Sequence, residues 1–169
     1  MTTYPSNRGE PVTAVLLPFT TGRKLVSCEL FDRLASRIVA DERLPPGLAE
    51  RIVDQALAFL AACARNTGAP LAPSELVDLG WHTFILHTRD YADFCDRIAG
   101  RFLHHVPAEV SDPEASGESA HATLVRTVAA IERAGYAVDP ALWPAISGKC
   151  NVNCSQCKNG CSDDPPPAS

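Results

Sequence analysis

The chain has 169 residues, of which 46% are hydrophobic and 21% are charged, and its formal net charge is -5 at pH 7. This length allows one domain with a modest core, and the hydrophobic content is typical of a globular protein and not of a disordered one. An acidic balance without a basic patch argues against nucleic acid and against an anionic membrane surface as partners.

The N-terminal segment, residues 1–26, is predicted to be irregular, with one short strand at residues 13–17. Residues 1–10 are polar and lack a basic region followed by an apolar one, so they do not indicate a secretory signal. The apolar run at 12–19 is too short to span a bilayer. We therefore expect a cytoplasmic protein whose seven cysteines are thiols or metal ligands rather than structural disulfides.

A helical domain is predicted over residues 27–146. Ser27 is a favoured N-cap for the first helix, which Pro45-Pro46-Gly47 would end. The second helix, about residues 48–65, has the clearest pattern, with an apolar stripe on one face and a polar, solvent-exposed face opposite. The apolar stripe consists of Leu48, Ile52, Val53, Leu57, Leu60 and Cys63. The polar face consists of Glu50, Arg51, Asp54 and Gln55.

Three further helices are predicted. One is capped by Ser74 and runs through Leu86, and the next is capped by Thr88 and ends at Gly100. After an exposed loop at 108–118, a fifth helix covers about 119–134, and Asp139-Pro140 caps a short turn that holds Trp143. The inward residues of the fifth helix are predicted to be Leu124, Val125, Val128 and Ile131. The expected fold class is all-α, a small helical bundle or orthogonal array of about five helices.

The chain changes character at residue 147. The segment 147–169 has few apolar residues and a proline-rich end, so we expect a mostly irregular, cysteine-rich tail. Its spacing C-x3-C-x2-C-x3-C is formed by Cys150, Cys154, Cys157 and Cys161. Soft metals bind deprotonated sulfur, and a polar, turn-forming segment can wrap four such ligands around one ion. The tail therefore predicts a metal site, for zinc first, with copper(I) or an iron–sulfur cluster as alternatives. A non-metal alternative is that the tail cysteines are covalently modified or form disulfides.

A second constellation lies between residues 77 and 107, which hold four of the five histidines. On a helix, groups four residues apart share a face, so imidazole, carboxylate and thiolate groups could converge where two helices meet a loop. This candidate second site consists of Asp78, His82, His87, Tyr91, Cys95, His104 and His105. A histidine beside a tryptophan is also typical of a hydrogen-bonded core, so both interpretations stay open for His82. Cys95 on an apolar face is more typical of a core residue.

The pattern Val77-Asp78-x-x-Trp81-His82-x-x-x-Leu86-x-x-x-x-Tyr91-x-x-x-Cys95 resembles the helical region of glycine-rich domain-containing proteins. The resemblance covers residues 77–95. Phe84 stands where that family carries its second histidine, a histidine is found instead at position 87, and the glycine-rich region is missing. The resemblance implies a helical scaffold around Asp78, Trp81 and His82, and it implies no activity.

The sequence contains no P-loop, no glycine-rich dinucleotide turn and no evidently activated nucleophile, which argues against an enzyme. The primary prediction is a cytoplasmic metal- or cluster-binding protein that uses the four tail cysteines. One alternative is a ribosomal peptide precursor, in which the helical domain is a leader and a modifying enzyme acts on the cysteines of the tail. Another is an interaction module in which zinc orders the tail for a protein partner.

Overall fold

The structure is a computed structural model that describes residues 19–106, 117–144 and 160–162, with the backbone alone at 106, 117–119 and 160–162. Five α-helices lie in these ranges, which confirms the predicted all-α class. They are α1 (Cys28–Glu42), α2 (Pro46–Arg65), α3 (Glu75–Leu86), α4 (Thr88–Ala99) and α5 (Gly117–Arg133). Short 3-10 helices precede α1, at Gly22–Leu25, and follow α5, at Pro140–Leu142. None of the helices in the described ranges combines the length and the apolar character needed to cross a membrane.

A small antiparallel ribbon connects the segment between α4 and α5 to the C-terminal region. Strand β1 (His104–Val106) pairs with strand β2 (Gly160–Ser162), which belongs to the cysteine-rich tail. The register places His104 opposite Ser162, His105 opposite Cys161 and Val106 opposite Gly160. The rest of the predicted tail from residue 147, and the strand predicted at 13–17, lie outside the described residues.

The capping residues explain where the helices begin and end. The side chains of Ser27 and Ser74 accept hydrogen bonds from the backbone N–H groups of Leu30 and Val77, as predicted for N-caps. Gly100 ends α4 in the left-handed conformation, with φ at 64°, which glycine adopts without strain.

Three predicted helix starts are wrong. Helix α2 begins at Pro46, two residues before its predicted start. Thr88 is the first residue of α4 and not its cap, because α3 passes into α4 through His87 alone. The His87 N–H donates to the Phe84 carbonyl, and its own carbonyl accepts from the Tyr91 N–H. Helix α5 begins at Gly117, two residues before the predicted start, so the end of the predicted 108–118 loop is helical.

Helix α2 is the centre of the core. It packs against α1, α3, α4 and α5, and its residues from Ile52 to Cys63 are buried apart from Asp54. Helix α3 crosses it closely at Gly80, where a Cβ atom would lie 2.9 Å from the Cβ of Ala56 and 3.0 Å from the carbonyl oxygen of Ile52. A glycine at this crossing therefore sets how near α3 comes to α2.

The prediction that Gln55 lies on the solvent-exposed side of α2 is wrong, because this residue is only 2% exposed. Its Oε1 accepts from the indole N–H of Trp143 at 2.9 Å and from the backbone N–H of Asp139 at 3.1 Å. Its Nε2 donates to the Ala137 carbonyl at 3.0 Å. The Gln55 amide can be buried because both its oxygen and its nitrogen are hydrogen-bonded. These hydrogen bonds connect the segment after α5 to α2.

The inward face of α5 is narrower than predicted. Leu124, Val128 and Ile131 are buried as expected, but Val125 is 47% exposed. The three buried residues follow one another at spacings of four and three, which keeps them on one stripe. Val125 is turned about 100° from Leu124 around the helix axis and falls outside that stripe.

We expect Gly80→Ala to destabilise the fold, because its methyl group must displace the backbone or side chain of α2. Overpacking of this kind costs about 1–3 kcal/mol in the free energy of unfolding. Gly47→Ala is the matched control: it is also a helical glycine, but a Cβ there meets nothing within 4 Å. Alanine's better helix propensity should leave this variant equal to or slightly more stable than the parent. Urea unfolding of both variants, followed by circular dichroism, tests this, and equal effects would contradict it.

Candidate functional site: a histidine–aspartate cluster

Three of the seven residues predicted for the second site converge in space. Helix α3 contributes Asp78 and His82, which are four residues apart, and strand β1 contributes His105. One oxygen of the Asp78 carboxylate lies 2.8 Å from Nε2 of His105, and the other lies 3.3 Å from Nδ1 of His82. The three potential ligand atoms all lie within 4.8 Å of one another. We call these three residues the histidine–aspartate cluster.

The cluster is closed on one side and open on the other. The side chain of His105 is 6% exposed and that of Asp78 is 12% exposed, whereas that of His82 is 52% exposed. The ring centroids of His82 and His105 are 4.2 Å apart, and the ring planes are inclined at 43° to each other. A small ion or molecule would therefore approach from the side of His82.

A buried chain of hydrogen bonds sets the position of His105. The indole N–H of Trp81 donates to the hydroxyl oxygen of Tyr91 at 2.8 Å, and the Tyr91 hydroxyl donates to the Leu103 carbonyl at 2.6 Å. Leu103 directly precedes β1. The Trp81 ring also packs edge-on against the His105 ring, with centroids 4.5 Å apart. The start of β1 is thus held against both α3 and α4, which brings His105 over Asp78.

The structure does not bring Tyr91 and Cys95 into the cluster, because both are buried in the core. Burial raises the pKa of the Tyr91 hydroxyl far above its ordinary value. Burial also raises the pKa of the Cys95 thiol, although hydrogen bonds with the Leu103 backbone and Tyr91 act in the opposite direction. Both groups are therefore neutral at physiological pH, whereas a metal ligand of either type would have to lose its proton.

His87 and His104 also lie away from the cluster. His87 connects α3 to α4 and lines a shallow surface cavity with Glu29 and Arg33 of α1. His104 is exposed, and its ring contacts the ring of Phe102, with centroids 4.8 Å apart. Successive residues of a strand face opposite sides, so of the two adjacent histidines of β1 only His105 can face α3.

The tail cysteines are only partly within the described residues. Cys150, Cys154 and Cys157 lie outside them, and Cys161 is described by its backbone in β2. Among the other cysteines, Cys28 is an exposed free thiol and Cys95 a buried one, while Cys63 is disulfide-bonded. The expectation that every cysteine is a thiol or a metal ligand is therefore wrong at Cys63, although its predicted burial on the α2 stripe is correct.

A model of the UCP032817-like family matches residues 27–132. The chain belongs to the UCP032817-like family. The region that matches the UCP032817-like model runs from the N-cap of α1 almost to the end of α5 and contains all three residues of the histidine–aspartate cluster. It ends before the cysteine-rich tail. No curated protein and no solved structure matches the chain. The resemblance to glycine-rich domain-containing proteins stays a prediction.

We expect Tyr91→Phe to lower the free energy of unfolding by about 1–3 kcal/mol, because it leaves the Trp81 N–H without its acceptor and the Leu103 carbonyl without its donor. Thr83→Ala is the control, since the Thr83 hydroxyl donates to the Leu79 carbonyl within the same helix. This variant should lose less stability, because α3 retains its own backbone bonds. Urea unfolding measures both, and a Tyr91→Phe protein as stable as the parent would contradict the role given to this hydrogen-bond chain.

The two free thiols of the described residues should differ in reactivity. We expect iodoacetamide to modify Cys28 rapidly in the native protein and Cys95 only after unfolding, because Cys95 is buried and its pKa is raised. Peptide mapping by mass spectrometry measures the two rates separately. Protein in guanidinium chloride provides the control, since both residues should then react alike. Equal rates in the native protein would show that the Cys95 side of α4 opens readily.

Proposed function

We propose that the protein binds a divalent transition-metal ion, zinc in the first place, at the histidine–aspartate cluster. The observation that carries this proposal is the convergence of Asp78, His82 and His105, whose ligand atoms lie within 4.8 Å of one another. Two imidazoles and a carboxylate are donors that zinc, iron and other first-row metals accept.

The distances between the donor atoms suit a small ion. Zinc bonds to nitrogen and oxygen are about 2.0–2.2 Å long, so two ligand atoms of a tetrahedral site are about 3.4 Å apart. The Asp78 oxygens lie 2.8 Å and 3.3 Å from the nitrogens of His105 and His82. Binding would replace the hydrogen bond between Asp78 and His105 and the contact between Asp78 and His82 with bonds to the ion.

The surroundings of the cluster also resemble those of a metal site. The Trp81 ring, which is fully buried, packs against His105 and holds one ligand in a fixed orientation. Fixed ligands lose less conformational freedom when they bind, which raises affinity. The exposed edge at His82 leaves a route by which an ion can enter.

Metal binding at the cluster does not by itself specify a reaction. Three protein ligands leave a fourth coordination position, which in zinc proteins is filled by water or substrate at catalytic sites and by a further side chain at structural ones. The four tail cysteines remain a separate predicted site for zinc, copper(I) or an iron–sulfur cluster. The peptide precursor, the interaction module and the cytoplasmic location also stay predictions.

The test uses the full chain with Cys63 changed to alanine and all four tail cysteines changed to serine, so that neither the disulfide of Cys63 nor a thiolate site in the tail contributes. We expect this protein to bind one zinc ion, and His82→Ala or His105→Ala to weaken binding at least tenfold, since each removes a ligand. His104→Ala is the matched control, because this neighbouring histidine is exposed and outside the cluster. Competition with a chromophoric chelator measures the affinity, and native mass spectrometry counts the ions.

Two further results bear on this proposal. Zinc should bind more weakly as the pH is lowered, because ligating imidazoles must be neutral and zinc then competes with protons. Zinc should also raise the melting temperature, because it binds the folded chain. Zinc binding that is unchanged in His105→Ala would show that the ion lies elsewhere and would overturn the proposal.

A further inference from the structure

The donors of the histidine–aspartate cluster are covered by protein on one side and reach solvent on the other. The Trp81 ring, which is fully buried, packs against His105. The side chains of His105 and Asp78 are only 6% and 12% exposed. That of His82 is 52% exposed. An ion held by these three residues would therefore have a coordination position directed toward the solvent beside His82.

The number of donors also leaves this position unfilled. Within the residues that the structure describes, no fourth histidine, cysteine, aspartate or glutamate joins the cluster. Zinc with three protein ligands takes water or substrate as its fourth ligand, and two histidines with one carboxylate are also the set that leaves open positions on non-haem iron. The cluster thus has the donor set of an open metal site.

The charge of the donors favours an anion at the open position. Neutral imidazoles contribute no charge, and the Asp78 carboxylate contributes one negative charge. A divalent ion bound to the cluster therefore retains one positive charge. A ligand with a single negative charge would neutralise it, whereas water would not.

The neighbours of His82 on α3 indicate what else such a ligand carries. Residues three or four apart on a helix are neighbours on its surface, and apart from Asp78 these positions around His82 are Leu79, Ile85 and Leu86. Leu79 and Ile85 are half-buried, and Leu86 is 70% exposed. None of the three positions offers a lysine or arginine to a polyanion such as a phosphate ester. The edge of the site is apolar.

We propose that the metal site is open and binds an organic monocarboxylate, whose carboxylate is a ligand of the ion and whose apolar body lies against Leu86. This inference rests on the proposed function, because it needs the ion. It assigns to the site a small amphipathic anion as its ligand class, and it explains why a large apolar side chain is left exposed one helical turn from His82.

Cobalt(II) is the probe, because its visible absorption bands change when one of its ligands is exchanged. The protein is the full-length chain of the zinc test, with Cys63→Ala and the four tail cysteines changed to serine. We expect acetate and hexanoate each to change the cobalt bands until saturation. Hexanoate should bind at least about fourfold more tightly, which is the effect of removing one methylene group from water. Perchlorate at equal ionic strength is the control and should change nothing.

A matched pair of variants tests the apolar edge. Leu86→Ser should weaken hexanoate binding at least about twofold, because less apolar surface is covered, and should leave the affinities for cobalt and acetate unchanged. Val125→Ser is the control, since Val125 is also an exposed apolar residue but lies on α5. This variant should bind both carboxylates like the parent. Equal affinities for acetate and hexanoate, or a preference unaffected by Leu86→Ser, would overturn the assignment of the ligand class.

The same titration of the unmodified chain shows whether the site is open when the tail cysteines are present. The protein is reduced with a phosphine, kept free of oxygen and saturated with cobalt, and the carboxylates should again change the bands. A response that is lost in this protein would mean that a group of the tail fills the position, which overturns the inference.

The outcomes separate the two proposals. Cobalt binding that requires His82 and His105 but does not respond to either carboxylate would overturn the open site and leave metal binding at the cluster standing. Absence of cobalt and zinc binding from the parent would overturn the proposed function and this inference together.

Discussion

The hydrogen bonds from Trp81 to Tyr91 and from Tyr91 to the Leu103 carbonyl hold the elements around the histidine–aspartate cluster in place. All three residues are buried, so an unpaired N–H, hydroxyl or carbonyl here would cost about 1–3 kcal/mol. Because the three groups belong to α3, α4 and the residue before β1, satisfying them fixes three elements relative to one another. The placement of His105 beside Asp78 follows from this constraint.

The same region joins the stability of the fold to the geometry of the cluster. Trp81 contacts Phe59 of the central helix on one side and His105 on another. A change that loosens the packing of α3 against α2, such as a side chain at the Gly80 crossing, would therefore also disturb the cluster. A metal ion would act in the opposite direction, because its bonds to α3 and β1 hold the same elements together.

The region that matches the UCP032817-like family model lies in the helical domain and contains the cluster. It ends before the tail. The tail meets the domain through the pairing of β2 with β1, at the edge where His105 lies. Of the four-cysteine segment, the described part is the backbone of β2, and it lies beside the strand that carries His105.

The sequence by itself determined the features that depend on neighbouring residues: the Ser27 and Ser74 caps, the end of α4 at Gly100, the apolar stripes, and the shared face of Asp78 and His82. Only the tertiary structure decided that His105 joins them and His104 does not, since the choice between adjacent histidines depends on where β1 starts. The burial of Gln55 likewise depends on tertiary structure, because its hydrogen-bond partners lie more than eighty residues away along the chain. Local hydrogen bonds and periodicity can be read from a few residues, whereas contacts across the chain depend on how all the elements pack.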